Sequence, residues 1–221
     1  MFEFYKKKKI KISKINDIYS HHLYTGISGI LMRYCHRQLE RSCPKKNYKK
    51  ILEIGAGSQP HYEYLKNKNC RYYILEKNKV KKNNKNKFIY LSNKNLKSKK
   101  KFFDRIIVSH TLEHIPFPDI FLKKTFKLLK NGGVISISLP TDPGFLWRLG
   151  RLYNKLFIIK KNLNISNLDY DYMNSIEHIN SCFNLLSIIK YNFRKKLIEN
   201  YLPFKIKLID LNLFYNVHIV K

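Results

Sequence analysis

Cysteine is sparse and lacks the spacing of a framework. Cys35, Cys43, Cys70 and Cys182 form no CxxC pair, and the nearest histidines do not complete zinc-ligand spacing. This pattern excludes a disulfide-stapled scaffold, points to free thiols in a cytosolic protein, and gives no reason to expect a metal. Eight glycines and seven prolines are too few for a collagen-like or low-complexity chain. No apolar run approaches the ~18–20 residues of a membrane-spanning helix. The start, Met1-Phe-Glu-Phe-Tyr followed by four lysines, lacks the apolar stretch of a signal peptide. Internal repeats are missing as well.

Acidic residues are scarce too. Fifteen Asp and Glu stand against 44 Lys and Arg, a formal net charge of +29. Such an excess suggests a nucleic-acid partner. Its make-up points elsewhere: lysine supplies 36 of the basic residues and arginine 8, beside 22 asparagines and a single alanine, Ala56. Lys, Asn, Ile, Tyr and Phe have AT-rich codons, so drift of a genome toward AT yields this composition without a polyanion partner. Arginine, the residue suited to bidentate phosphate recognition, is the depleted one. What remains is ordinary for a folded chain of 221 residues, 44% hydrophobic and 27% charged. That suffices for one domain with a real core.

Residues 1–47 are basic and show no strand alternation; Ile18 to Leu39 reads as one or two short helices interrupted at Gly26 and Gly29. From 48 onward, five short apolar runs each end in polar or Gly residues: 51–54, 72–75, 88–91, 103–108 and 134–139. Parallel strands buried on both faces have this signature. Asp119 to Lys130 reads as a crossover helix stopped by Asn131-Gly132-Gly133. The Lys/Asn-rich stretch 77–87 reads as a surface connection, and 160–176 as loop. His178 to Tyr191 reads as a helix, and 196–201 and 211–220 as two final strands. The expected fold is α/β: a Rossmann-like, doubly wound, mostly parallel seven-stranded sheet with a C-terminal antiparallel hairpin.

The first run leads into Gly55-Ala56-Gly57, then Ser58-Gln59-Pro60-His61. Glycines at a strand end let the backbone turn tightly and approach a ligand, which in an open α/β sheet sits outside the carboxyl ends of the strands. A dinucleotide wants a third glycine and a helix N-terminus for its pyrophosphate. Here that third position is Pro60. An adenosyl ligand without phosphates needs only the loop and an acid for its ribose hydroxyls, and Glu76, 19 residues beyond Gly57, ends the next strand. Glu53 leaves its strand either toward that ligand or toward the loop backbone.

Four ordered segments carry a family resemblance: Ile51-Leu-Glu-Ile-Gly-Ala-Gly57, Ile74-Leu-Glu76, Phe103-Asp-Arg-Ile-Ile-Val-Ser-His-Thr-Leu-Glu-His-Ile115, and Leu128-Leu-Lys-Asn-Gly-Gly-Val-Ile-Ser-Ile-Ser-Leu-Pro140. Together they resemble a class I S-adenosylmethionine-dependent methyltransferase of the small-molecule type found in many bacteria. The match is good over about 48–142 and loose elsewhere. The resemblance implies S-adenosylmethionine as cofactor, held by Glu53, Gly55, Ala56 and Gly57, with Glu76 on the ribose. Ser92, Asn93 or Asn95 would flank the adenine, where many relatives have Asp, and Ser109 and His110 would face the transferred methyl. It divides the chain into an N-terminal helical extension, 1–47, and a methyltransferase domain, 48–221, with a helical lid inserted at about 145–176.

An oxygen or nitrogen acceptor can require a base, and His110, His114, His178 and Asp142 are the candidates. His114 also reads as a loop-positioning residue. His178, in Glu177-His178-Ile179-Asn180, reads as the opening of the late helix, reaching the site from a lid or capping that helix. The segment 145–159 puts Phe145, Leu149, Leu152, Leu156 and Ile159 on one face and Arg148, Arg151 and Lys155 on another. It packs across the mouth of its own domain, or it lies as a basic amphipathic helix on a membrane, with Trp147 and Phe157 near lipid. The expected acceptor is a small molecule, a sugar or a lipid-linked compound. An RNA methyltransferase using the lysines, or a scaffold that has lost the cofactor, are the alternatives. An Asn/Asp-Pro-Pro-Tyr type motif is missing after the fourth strand, and no RNA-binding module is appended.

Overall fold

The structure, a computed structural model, describes residues 24–45, 47–57, 59–76, 87–159 and 165–221. The connection expected over 77–87, apart from Lys87, and the start of the N-terminal helical region lie outside these residues. Five parallel strands, β1 (Lys50–Ile54), β2 (Arg71–Leu75), β3 (Phe88–Leu91), β4 (Phe103–Ser109) and β5 (Leu129–Pro140), fall on the five apolar runs. Two antiparallel strands, β6 (Leu197–Leu202) and β7 (Phe214–Val220), complete the sheet in the order β3-β2-β1-β4-β5-β7-β6. The winding reverses between β1 and β4, so their carboxyl ends form the crevice where such sheets bind ligands. Among the described residues no helix is long and apolar enough to cross a membrane.

One face of the sheet is apolar except at its β6 edge, where Glu199 accepts the Tyr201 and Tyr215 hydroxyls. Leu52, Ile106, Val108, Ile135, Ile137, Val217 and Ile219 pack there against Leu122 and Leu128 of α3 (Pro118–Leu128) and Leu185, Ile189 and Phe193 of α6 (Cys182–Phe193). Helix α3 ends two residues before the expected Lys130, because Leu129 already pairs with Phe103 in the sheet. The Gly132-Gly133 pair therefore shapes an irregularity inside β5, where pairing shifts register between Phe103 and Arg105, instead of stopping the helix.

The other face is part polar. Arg105, Ser136, Ser138, Asn216 and His218 line it, all completely buried. Pairing sets Ser136 beside His218 and Ser138 beside Asn216. Helix α1 (Gly26–Arg41) covers this surface, so the N-terminal segment shares the domain's core: Leu39 and Cys43 join Ile51, Tyr72, Ile107 and Val134. Gly29, expected to interrupt the helix, lies inside it, where a Cβ would collide with the Tyr24 carbonyl.

Burying an arginine outright demands a charged partner. Glu40, near the end of α1, supplies it: Arg105 Nη1 donates to Glu40 Oε2, while Arg105 Nε donates to Ser136 Oγ at 2.9 Å. Burial alone would raise the Glu40 carboxyl, but the His61 hydrogen bond and the Arg105 guanidinium outweigh it and hold it down at about 2. Glu40 Oε1 also accepts the Lys66 amide at 3.2 Å. Arg105→Ala leaves a buried carboxylate unpaired and is expected to cost about 3–5 kcal/mol. The double change Arg105→Met with Glu40→Leu should recover much of that loss. Urea unfolding measures both; a loss below about 1 kcal/mol for Arg105→Ala would show that this pair does not hold α1 to the sheet.

Candidate active site at the ends of the central strands

The loop after β1 is held from two sides. Gly55 takes φ +73°, and its amide donates to the Leu75 carbonyl at 3.0 Å. A Cβ there would collide with the Thr111 side chain. Thr111, just after β4, sets its hydroxyl among the carbonyls of Ser109 (2.9 Å), Ile54 (3.3 Å) and Gly55 (3.3 Å), to any one of which it can donate its single proton, at the junction of the two strand ends. Gly57 takes φ +54°, donates its amide to Glu76 Oε2 at 3.0 Å, and has open space within 4 Å of where a Cβ would stand. The structure thus brings the Gly55-Ala56-Gly57 loop and Glu76 together at the ends of β1 and β2. Ser109, at the end of β4, presents a buried hydroxyl that has no hydrogen-bond partner.

Glu53 sits beneath the loop. Its carboxylate accepts the His61 amide at 3.0 and 3.1 Å and the Tyr72 hydroxyl at 2.7 Å. Burial pushes this carboxyl up to about 7. It acts on the loop backbone, one of the two roles open from the sequence. His61 continues inward. Glu40 can only accept, so the contact at 3.4 Å assigns a proton to His61 Nε2. His61 Nδ1 then accepts from His36 Nδ1 at 2.9 Å, and His36 Nε2 accepts from the Tyr24 hydroxyl at 3.3 Å. Sequence reasoning missed His36, His61 and Glu40, because their partners lie on other elements. Ser92 and Asn95 are exposed beyond β3, and the Ser92 hydroxyl caps α2 (Asn93–Lys97) by accepting the Asn95 amide at 3.3 Å.

His110 follows β4 with φ +48°, a left-handed conformation rare for a residue with a Cβ. Burial, with His178 and His114 nearby, pushes its imidazole down to about 3, so it is neutral near pH 7. Its ring meets Phe214 and His36 edge-on; His36 stacks on Tyr64, and Phe214 meets Trp147. His110 therefore packs into a cluster of aromatic rings. Trp147 belongs to α4 (Phe145–Asn154), which runs on into a π-helical turn, Lys155–Ile159. Trp147 packs on the domain, whereas Phe145, Leu149, Leu152, Leu156 and Phe157 are about half exposed. Two of the three basic residues on this segment are paired within the chain: Arg151 with Asp142 and Lys155 with Asp171.

A second helix, α5 (Asn167–Glu177), occupies much of the stretch expected to be loop. Ser166 caps it by accepting the Asp169 amide at 3.0 Å, and Tyr170, Met173 and Asn174 form its buried stripe. The Ser-x-x-Asp spacing was the available signal. His178 consequently closes α5 instead of opening α6, whose cap is Ser181. His178 Nδ1 meets Asp142 Oδ2 at 2.8 Å, and its ring lies across that of His114, centroids 5.1 Å apart. His114 Nδ1 meets the Glu177 carbonyl at 2.6 Å. The three histidines singled out in the sequence thus share one corner, beside Asp142 and the buried Glu113.

These buried groups set the pH response of stability. Burial lowers His36, His61, His110 and His218, so the folded chain keeps them neutral while the unfolded chain protonates them below 6.5. Their contribution is complete above that value and is lost as pH falls. Glu53 and Glu113, raised by burial to about 7 from 4.5, act in the opposite sense: their contribution is complete below 4.5 and lost as pH rises to 7. Between about pH 6 and about pH 5 the four lowered histidines, against two raised carboxyls, set the sign of the change. Unfolding free energies from urea titrations across that interval should fall on acidification; a flat or rising profile contradicts the assignment.

Comparison with known proteins agrees with this geometry. A family profile described as a methyltransferase domain matches residues 19–190. A sequence search of curated proteins finds no match. The fold resembles the plantazolicin methyltransferase BpumL, solved in complex with a monoazolic desmethylPZN analog and SAH, at a TM-score of 0.64 and 15% identity, covering 99% of this chain and 91% of that one. It also resembles a SAM-dependent methyltransferase, possible histamine N-methyltransferase, from Thermotoga maritima, at a TM-score of 0.60 and 16% identity, covering 94% and 97%. A SAM-dependent methyltransferase from Archaeoglobus fulgidus aligns at a TM-score of 0.60 and 18% identity, covering 86% and 94%. With strand order, crevice and profile in agreement over most of its length, the chain belongs to the methyltransferase-domain family.

Proposed function

We propose that this enzyme moves a methyl group from S-adenosylmethionine to a small, largely apolar acceptor, with a lipid-linked compound as the variant that best suits α4. The observation that carries the cofactor reading is the open space beside Gly57, next to the Glu76 carboxylate that the Gly57 amide holds. Gly57 leaves room for a ligand, Glu76 is fixed by the Gly57 amide at the end of β2, and the Ser109 hydroxyl is buried without a partner. In this reading Gly55, Ala56 and Gly57 line the methionine and ribose side, Glu76 takes the ribose diol, and Ser92 and Asn95 flank the adenine. Glu53 works through the loop. When bound, the cofactor supplies an electrophilic methyl on a sulfonium, so the protein's share is alignment and, for a hydroxyl or amine acceptor, handling of one proton.

His110 is neutral but too weak a base to take that proton efficiently near pH 7. Its strained position at the strand end suits it to orienting the acceptor. The proton falls to the His114 and His178 corner, where Asp142 orients His178 as a carboxylate orients a catalytic imidazole. The aromatic cluster of Tyr64, His36, Phe214 and Trp147 favours a flat or apolar acceptor, and the half-exposed apolar residues of α4 extend that preference outward. The BpumL neighbour, crystallised with azole-containing analogs, is a relative of this kind by fold.

Calorimetric titration of S-adenosylhomocysteine in about 150 mM salt tests the cofactor assignment. The wild-type chain should bind at micromolar concentration, and Glu76→Ala, which removes a charge-assisted contact worth about 1.5–3 kcal/mol, should bind roughly 10–100-fold more weakly. Absence of binding by the wild type, or equal binding by the variant, would overturn the assignment.

A further inference from the structure

We propose that Glu113, His114 and His178 form a binding site for a divalent metal ion of the zinc, cobalt, manganese or iron class. One ligand atom from each of the three lies within 4.8 Å of the others. The protonation pattern makes all three available. His114 Nδ1 faces a backbone carbonyl, Glu177 O, at 2.6 Å, and His178 Nδ1 faces a carboxylate, Asp142 Oδ2, at 2.8 Å. Both partners can only accept, so each Nδ1 carries its proton and each Nε2 keeps a lone pair. Metal-bound histidines show this arrangement: the distal nitrogen bonded to a carbonyl or carboxylate, the other on the ion.

Glu113 adds an independent sign. The residue is 2% exposed, and its Oε2 atom is buried with no hydrogen-bond partner. Its other oxygen stands 4.0 Å from His114 Nε2, too far for a hydrogen bond. A buried carboxylate oxygen without a donor is costly, and a cation between it and the two imidazoles removes that cost. The halves of the site are fastened to each other. Asn180, two residues past His178, donates its amide to the Glu113 carbonyl at 3.1 Å and its side chain to the Ile115 carbonyl at 2.7 Å. Two imidazoles and one carboxylate favour a borderline ion over calcium or magnesium, which prefer all-oxygen shells. Three protein ligands leave positions open. The site flanks His110, so on the methyl-transfer reading, on which this last step rests, an acceptor hydroxyl bound to the ion through oxygen would lose its proton to solvent water, and with the ion present this activation takes the place of proton uptake by the two imidazoles.

Cobalt(II) is the probe, titrated into the metal-stripped full-length protein and followed by its visible d–d absorption. One ion per chain should bind and be displaced by zinc. His114→Ala, at a side chain 36% exposed and so compatible with folding, should weaken binding at least tenfold. Asp142→Asn, which weakens the hold on His178 and on Arg151 but removes no ligand, should weaken it about tenfold. No uptake by the wild type, or uptake undiminished in His114→Ala, overturns the proposal. S-adenosylhomocysteine binding, measured on the same samples, separates the two readings: cofactor binding without metal uptake sinks the metal site alone, whereas metal uptake without cofactor binding supports the site and sinks the methyl-transfer reading.

Discussion

The buried ion pair between Arg105 and Glu40 organises the site-bearing half of the molecule. Arg105 stands on β4, in the middle of the sheet, with its side chain wholly buried. It can remain charged there only because α1 delivers Glu40 onto it, and α1 can lie on that face only because β5 and β7 present Ser136, Ser138, Asn216 and His218 instead of bulky apolar side chains. Glu40 in turn faces His61, the His61 amide is bonded to Glu53, and Glu53 sits under the glycine loop. The glycine loop is therefore tied through four residues to the docking of the N-terminal helix. Such a chain of fully desolvated groups tolerates little change, because each member left without its partner meets a low-dielectric interior.

A second constraint works from the opposite side. Thr111 sets its hydroxyl against the ends of β1 and β4 at once, and the space it fills is the space a side chain at residue 55 would need. Glycine is required at 55 by crowding as well as by its positive φ. At 57 it is required by its φ alone, and the emptiness beside it is what a ligand could use. The two glycines look equivalent in the motif and do different work.

The histidines divide in the same manner. His36, His61 and His218 are buried among acceptors and donors and serve the fold. His110, His114 and His178 gather beside the crevice, each with its backbone placed by a different device: the strained end of β4, the short turn after it, and the end of α5. Cysteine spacing carried no sign of a metal, and a search for ligands close in sequence could not find one either. Glu113 and His114 are adjacent, but His178 lies beyond one strand and four helical segments and reaches them through the turn that Asn180 holds.

The sequence by itself determined the sheet and the loop. Runs such as Ile51 to Ile54 and Val134 to Leu139 are too apolar to be anything but buried strands, and Gly-x-Gly at a strand end with an acid at the next is a local pattern with a local meaning. It also singled out the three histidines that the structure gathers in one corner. Helix ends were less legible: Leu129 and Lys130 continue a helical pattern yet belong to β5, since pairing with Phe103 outweighs propensity. Helix α5 hid behind asparagines, its apolar stripe reduced to a few residues. Only tertiary structure decided that α1 is part of the core, that Glu53 and Glu40 face inward, and that His178 meets Asp142 and His114. Each of these depends on contacts between residues 8 to 65 positions apart. Hydrophobic periodicity says which face of an element is buried, but the partner of a buried charge is fixed only when the elements have packed.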